Sequence, residues 1–402
     1  MKIKIILPEP YRGMINGWST RTIGLLTELG KKHTLFIYAP GDTTLLKNTF
    51  PDAEVSKSTS EFHPLSQFNP LKYLYAVLLG KGNWSYIPEF NFNPDFEKLL
   101  ANSEKESFDA ALYFGLAAYV LYGKCDSKYP VICDLCDSFV RHYLSYRKVT
   151  KSLIKKIVYT LDAMHVKKIK RKFVPKNVTI TAITEKDKFY IHKVLSKNRI
   201  DTVCNGVNIL GQNLINEDYI SGKWKSPRIL FCGSLDYIPN VNAVRYIIRS
   251  VWPEVKKKLP EAVLQIVGRN PGSELIDEIK GVDGVFLESN VPNVFEYYKG
   301  AKVLLSPMFM GGGVKNKILE AIGTATPVVT NNEGITGIEL TGKEIGIIAD
   351  NTDTIINSVV NIYTYDYPTY KRISLNSYSL AKEYSWENAG NKLCGIIESL
   401  CQ

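Results

Sequence analysis

The stretch of this 402-residue chain richest in reactive and ligand-binding residue types runs from Met308 to Glu320, Met-Phe-Met-Gly-Gly-Gly-Val-Lys-Asn-Lys-Ile-Leu-Glu. Gly311, Gly312 and Gly313 let backbone come close to a ligand and present their N–H groups to it. The residues that follow predict a helix from Val314 to Gly323, whose first turn carries orphan N–H donors and a partial positive charge. Such an end suits a phosphate. Lys315 and Lys317 add full positive charges where the helix dipole disfavours them, a local conflict that points to an anionic ligand. Glu320, one turn beyond Lys317, can accept two hydroxyls, as a carboxylate does from a ribose diol. A plainer arrangement fits the same residues: a flexible loop, two solvated lysines, and a Lys317–Glu320 pair at i,i+3. A Walker loop is excluded, because Gly-Lys-Ser/Thr does not close the run.

These residues need a frame. From Arg228 onward strand and helix signals alternate: RILFCGS, a helix over 241–259, AVLQIVG, a helix over 273–280, GVFLE, a helix over 294–300, AKVLLSP, the helix from Val314, PVVTN and GIIAD. The glycine loop then follows the carboxyl end of a strand, where open α/β sheets bind ligands. The N-terminal half alternates too, with strands at Lys2–Pro8, His33–Ala39, Asp109–Phe114, Pro130–Leu135 and NVTITAI. Its helices are expected over Arg21–Lys32, Leu144–Val174 and after Thr184-Glu-Lys-Asp, while 60–85 is polar and aromatic with no clear pattern. The fold class expected is α/β, two doubly wound Rossmann-like domains with a cleft between them. The expected boundaries are 1–208 and 227–380, with a polar linker over 209–226.

Composition narrows the class. A chain with 45% hydrophobic and 22% charged residues has material for two cores, and no apolar run approaches a membrane span. The start, MKIKIILPEPYRG, reads as a strand rather than a signal peptide. Seven scattered cysteines favour a reducing, cytoplasmic setting over a disulfide framework. Cys133 and Cys136 have CxxC spacing but no second pair follows, so no metal is expected there. The net charge of +10 is concentrated: between Arg141 and Lys176 stand 12 basic residues and one acid, Asp162. That density suggests an anionic partner. Apolar residues at 153, 154, 157, 158, 161 and 164 mark one helical face. Packed on a core, that helix would show solvent a basic face. Laid on anionic lipid, it would give a peripheral position at the inner face of a membrane. Nucleic acid is not expected, for no nucleic-acid fold signature accompanies the charge.

The blocks GSLDYIPNVNAV (233–244), AVLQIVGRNP (262–271), NVPNVFEYYKGAKVLLSP (290–307) and GGGVKNKILEAIGTATPVV (311–329) resemble, in order and spacing, GT-B glycosyltransferases. They are most similar to the retaining group 4 family (glycosyl transferases group 1), in its subset with a GGG-x-K/R-x-K donor-site motif. NGVN (205–208) and TEKD (184–187) resemble signatures that precede the second domain, and YSWENAGNKL resembles a terminal helix, 381–402, that returns to the first. The resemblance implies a metal-independent hexosyltransferase that uses a nucleoside-diphosphate sugar, with no further cofactor, and retains the anomeric configuration. Glu320 matches the ribose-binding glutamate; Gly311, Gly312, Gly313 and Val314 match the segment at the diphosphate and sugar. Lys315 and Lys317 are the residues to neutralise the leaving diphosphate. Gly233, Ser234 and Asn240 lie in the loop after the first strand of the second domain. Gly268, Arg269 and Val291 match the nucleobase contacts, and Gly13 and Gly17 the glycine loop of the first domain.

Three departures stand out. Many members carry a glutamate where this chain has Gly312, and Arg and Lys where it has GSLDYIPN, so positive charge moves to Lys315 and Lys317. Relatives often end the strand in VICDLCDS (131–138) with a histidine; here Cys136 stands there, flanked by Asp134 and Asp137. Asp137 at a strand's end could orient an acceptor hydroxyl or stabilise a cationic centre, or it could cap the next helix. His142 is the other candidate. The acceptor implied is a surface glycan or lipid-linked sugar. A sugar-nucleotide epimerase, a phosphorylase and a non-catalytic nucleotide-binding scaffold remain as alternatives.

Overall fold

The computed structural model describes residues 1–8, 13, 17–57, 94–103, 105–122 and 128–402. Packing divides them into two units, Met1–Cys204 with Trp386–Gln402, and Asn205–Ser385. Each is an all-parallel sheet covered by helices.

In the first unit the strands are β1 (Lys2–Ile6), β2 (Thr34–Ala39), β3 (Glu54–Lys57), β4 (Ala110–Phe114), β5 (Val131–Asp134), β6 (Thr179–Ala182) and β7 (Ile200–Thr202), in the order β3-β2-β1-β4-β5-β6-β7. Its helices are α1 (Gly17–Gly30), α2 (Thr44–Thr49), α3 (Pro94–Ser103), α4 (Gly115–Tyr122), α5 (Phe139–Val149), α6 (Leu153–Phe173) and α7 (Glu185–His192). Helices cover both faces, so the inner strands are buried on both sides and mostly apolar, with Lys4, Asp134, Thr179 and Thr181 as buried polar exceptions. Ile3, Ile5, Ile37 and Leu112 face Leu25 and Leu26 of α1. Tyr38, Ala111, Tyr113 and Cys133 face Val140, Ala163 and Val166 of α5 and α6.

The second unit carries β8 (Arg228–Cys232), β9 (Val263–Gly268), β10 (Val285–Ser289), β11 (Val303–Ser306), β12 (Val328–Thr330) and β13 (Gly346–Ile348), in the order β10-β9-β8-β11-β12-β13. Around it run α8 (Glu217–Lys225), α9 (Ile238–Tyr246), α10 (Trp252–Lys258), α11 (Ser273–Ile279), α12 (Phe295–Gly300), α13 (Asn316–Gly323), α14 (Thr352–Thr364) and α15 (Tyr367–Glu383). The last helix, α16 (Trp386–Cys401), belongs to the first unit. It lies so close to α1 that a Cβ on Gly24 would stand 2.3 Å from the Trp386 ring.

Three expectations from sequence are corrected. The basic stretch over 144–174 is two helices. Thr150 and Ser152 are extended, and the Ser152 hydroxyl caps α6 by accepting from Lys155 N. The helix expected over 241–259 is interrupted by a π turn at Ile247–Val251, just before Pro253. Proline has no N–H for the next backbone bond, which shifts the hydrogen-bond phase there. The linker expected over 209–226 contains α8, whose Lys223 is buried and donates to Tyr298 O (2.7 Å), Lys299 O (3.1 Å) and Thr326 Oγ1 (2.8 Å). A lysine spent on carbonyls reads as solvent-facing in sequence. The unpatterned 60–85 stretch lies outside the described residues.

Candidate functional site

The strand order of the second unit reverses at one place. From β8 the chain winds outward through β9 and β10, then returns to β11 and winds the other way. Side by side, β8 and β11 leave a gap at their carboxyl ends, because their connections run in opposite directions. The loop after β8 holds Gly233 and Ser234; the loop after β11 holds the three glycines.

Both loops are held in place by side-chain amides. Asn240, on α9, donates from Nδ2 to Ser234 O (2.9 Å). On the other side, Asn331 grips Met308, accepting from its N at 3.0 Å and donating to its O at 2.7 Å. Gly233 has φ +155, and a Cβ there would stand 2.8 Å from the Lys317 ammonium. At Gly268 a Cβ would meet Gly233 O at 2.0 Å, so the ends of β8 and β9 approach as only glycine permits. Arg269 Nη2 reaches Ser234 Oγ at 3.4 Å. Asn290 N donates to Gly268 O at 2.9 Å, which sets the loop bearing Val291 beside these residues. Gly233, Ser234, Asn240, Gly268, Arg269 and Val291 are thus brought together with the loop of Gly311, Gly312, Gly313 and Val314.

Helix α13 begins at Asn316, two residues later than Val314, with Lys315 extended at its N-cap and no side chain capping it. Lys315 is 8% exposed and donates to Gly312 O (3.0 Å) and Gly313 O (3.3 Å), with Glu333 at 4.0 Å. Lys317 is 9% exposed, lies 4.3 Å from the Phe231 ring centroid, and donates to the neutral Asn240 Oδ1 at 2.7 Å. Burial pushes its pKa down to about 8; Cys232 and Glu320 oppose that, and Lys315 adds to it. Glu320 accepts from the buried Tyr298 hydroxyl at 2.8 Å. Burial raises its pKa against the pull of Tyr298 and Lys317. The solvated i,i+3 pair is therefore not what forms. Tyr298 and Asn331 were missed from sequence; a tyrosine inside a polar helix and an asparagine after a strand carry no distinctive spacing.

In the first unit, the candidates after β5 separate. Asp134 is 1% exposed and accepts from Arg21 at 2.8 and 2.9 Å, from Thr181 at 2.7 Å and from the Cys136 thiol at 3.3 Å. Cys136 turns the chain with φ 56. Ser138, not Asp137, caps α5, accepting from Arg141 N, so the capping reading of Asp137 is corrected. Asp137 is half-buried between them. The fully buried Lys170 of α6 is pushed down to about 8 by burial, against Cys133, Asp137 and Asp187. His142 packs against Tyr146 at a tilt, with ring centroids 4.3 Å apart. Gly17 opens α1 and is exposed, and Gly13 has φ 96. Residues 9–12 and 14–16 of that loop lie outside the described residues. Among the described residues no group of three His, Cys, Asp or Glu is placed to hold a metal.

Residues 226–364 match the family model of glycosyl transferases group 1. That segment contains the whole gap between β8 and β11. A curated relative, an uncharacterized 44.6 kDa protein in the cps region of Klebsiella pneumoniae, is 26% identical over 164 residues. The match covers 39% of this chain and 42% of that protein, less than half its length. Sucrose-phosphate synthase from Thermosynechococcus elongatus superposes with a TM-score of 0.68 at 13% identity, over 99% of this chain and 98% of that one. HepE from Anabaena, in complex with UDP-glucose, gives 0.63 at 14% identity over 100% of both chains. The fold is GT-B: two Rossmann-like, parallel-sheet α/β domains.

Proposed function

We propose that the chain is a glycosyltransferase that moves a sugar from a nucleoside diphosphate to a surface-glycan or lipid-linked acceptor, with retention and without a metal. The observation that carries this is Lys317: a buried ammonium at the β8/β11 gap, held by a neutral amide beside Glu320 and an uncapped helix end. Burying an ammonium whose hydrogen-bond acceptor is a neutral amide, with only partial compensation from Glu320, is costly, and a diphosphate would add counter-charge. HepE's ligand is of this chemical class, and the Klebsiella relative's cps region supports a glycan acceptor.

In the reaction so read, an acceptor oxygen bonds to the anomeric carbon while the bond from that carbon to the β-phosphate oxygen breaks. The electron pair leaves with the diphosphate, and the acceptor proton ends on a phosphate oxygen. Lys315, Lys317 and the α13 N-terminus meet the charge that develops. Glu320 holds the ribose hydroxyls, the loops bearing Arg269 and Val291 hold the base, and Asp137 serves the acceptor side. The test is a thermal-shift screen against UDP, GDP, ADP, CMP and dTDP with Glu320→Ala alongside. One nucleotide should raise the melting temperature, and the variant should lose that shift. Silence with all five sinks the reading. A second reading, a nucleotide-binding scaffold without turnover, is favoured by Gly312 standing where relatives carry glutamate. It predicts the shift but no consumption of the matching nucleotide sugar with any glycan or lipid-linked acceptor.

A further inference from the structure

Helix α6 has two apolar faces, and only one of them is covered. Ala163, Val166 and Lys170 are 3%, 6% and 0% exposed and form its inward row. At 3.6 residues per turn, Leu153, Ile154, Ile157, Val158 and Met164 lie about half a turn away from that row. They are 75%, 75%, 61%, 39% and 49% exposed. Packing on the core therefore does not account for the apolar pattern of this helix. Large aliphatic side chains displayed side by side on one helix face mark an interaction surface.

The charges around the face say what covers it. Arg147, Lys148 and Lys151, just before the helix, are exposed, and so are Lys168 and Arg171, which fall in phase with Ile157 and Leu153. No acidic residue occurs between Arg141 and Leu161. The one acid on α6, Asp162, is half-buried and its pKa is raised by that burial to about 6. A second copy of the chain would set two positive faces against each other. The 58–93 segment carries Lys72 and Lys81 against Glu61 and Glu89, and so brings no net negative charge. A nucleic acid would satisfy the lysines and leave Leu153 and Ile154 in water. A bilayer with anionic headgroups meets both demands, with acyl chains under the aliphatic side chains and phosphates at the lysine tips.

We propose that the outward face of α6, with Leu153, Ile154 and Ile157 at its centre, Lys151 just before it and Lys168 and Arg171 continuing the same side, seats on an anionic lipid surface. The helix lies flat there; among the described residues no helix is long and apolar enough to cross a membrane. Binding in this way needs no sugar transfer, so it stands or falls apart from the proposed function.

The test is flotation of the full chain with phosphatidylcholine vesicles, with and without phosphatidylglycerol. The bound fraction should be about tenfold higher on the anionic vesicles and fall as salt is added. Leu153→Ser with Ile157→Ser should lower it about tenfold. The melting temperature should not move, since both positions are exposed. Equal binding to neutral vesicles overturns the proposal, as does binding that the double variant leaves intact. Absence of binding overturns it too. So does a dimer that the double variant dissolves, or a DNA duplex that binds with the same dependence on Leu153 and Ile157.

Discussion

Two buried charges, one in each unit, sit at or just beyond the carboxyl end of a parallel strand and are treated in opposite ways. Asp134, closing β5, has a bidentate Arg21, Thr181 and Cys136 around it. Burial opposes its ionisation, yet these partners hold its pKa below the ordinary value. Lys317, in the helix after β11, is almost as deeply buried but donates to a neutral amide, and its pKa falls to about 8. The first charge is complete within the protein. The second has a neutral amide as its acceptor and only partial compensation from Glu320, which under the proposed function leaves room for an anion. Residue type and strand position alone do not separate structural from ligand-binding groups; the state of their counter-charge does.

Asp134→Ala is the strongest way to break this comparison. It leaves the Arg21 guanidinium buried without its partner, which costs about 3–5 kcal/mol of folding stability. Urea unfolding measures it. A loss below about 0.5 kcal/mol, the scale of an ordinary surface substitution, would mean that the pair is not structural and that Asp134 rather than Asp137 belongs in the acceptor reading.

Lys317→Ala should reverse that pattern. Stability without ligand changes little, since a poorly compensated charge leaves the interior, while turnover falls about 10²–10³-fold. The pH dependence carries the sign. If the protonated amine binds the diphosphate as proposed, affinity should be full below about pH 8 and decline as pH rises through that value. Titration calorimetry across pH 7 to 10 reads this, together with proton uptake on binding at the upper end. A flat profile in the parent protein, or the same decline in Lys317→Ala, assigns the charge to another group.

Much of this comparison was legible in the sequence, and its limits have physical causes. Strands such as AVLQIVG and AKVLLSP are short apolar runs between turn residues, and their alternation with helices leaves few topologies. The glycine loop stands out because three glycines in a row after a strand let backbone approach closely. What sequence cannot display is the partner of a polar side chain. Asp134 and Asp137 stand three residues apart in the same stretch, and only packing reveals that one meets Arg21, 113 positions earlier. Lys223 looks like a linker lysine until Tyr298 O, Lys299 O and Thr326 surround it. Leu153 and Ile154 show the converse: the helical period was plain, but which face met the core was not.

Tyr298→Phe is the subtlest test. The ring stays packed, but Glu320 loses the Tyr298 hydroxyl as a neutral donor. An ordinary hydrogen bond contributes about 1 kcal/mol, so nucleotide affinity should fall severalfold rather than by orders of magnitude. The informative readout is discrimination. If Glu320 binds the ribose as proposed, Tyr298 holds its carboxylate in place, and a ribonucleotide should be preferred over its 2′-deoxy form. In the variant the carboxylate can rotate, and that preference should shrink while the 2′-deoxy nucleotide binds nearly as before. If both nucleotides weaken equally, Tyr298 supports the packing around β8 and α13 and does not orient Glu320. If only the ribonucleotide weakens, a partly compensated lysine and an oriented carboxylate on one short helix together account for nucleotide binding in the proposed reading.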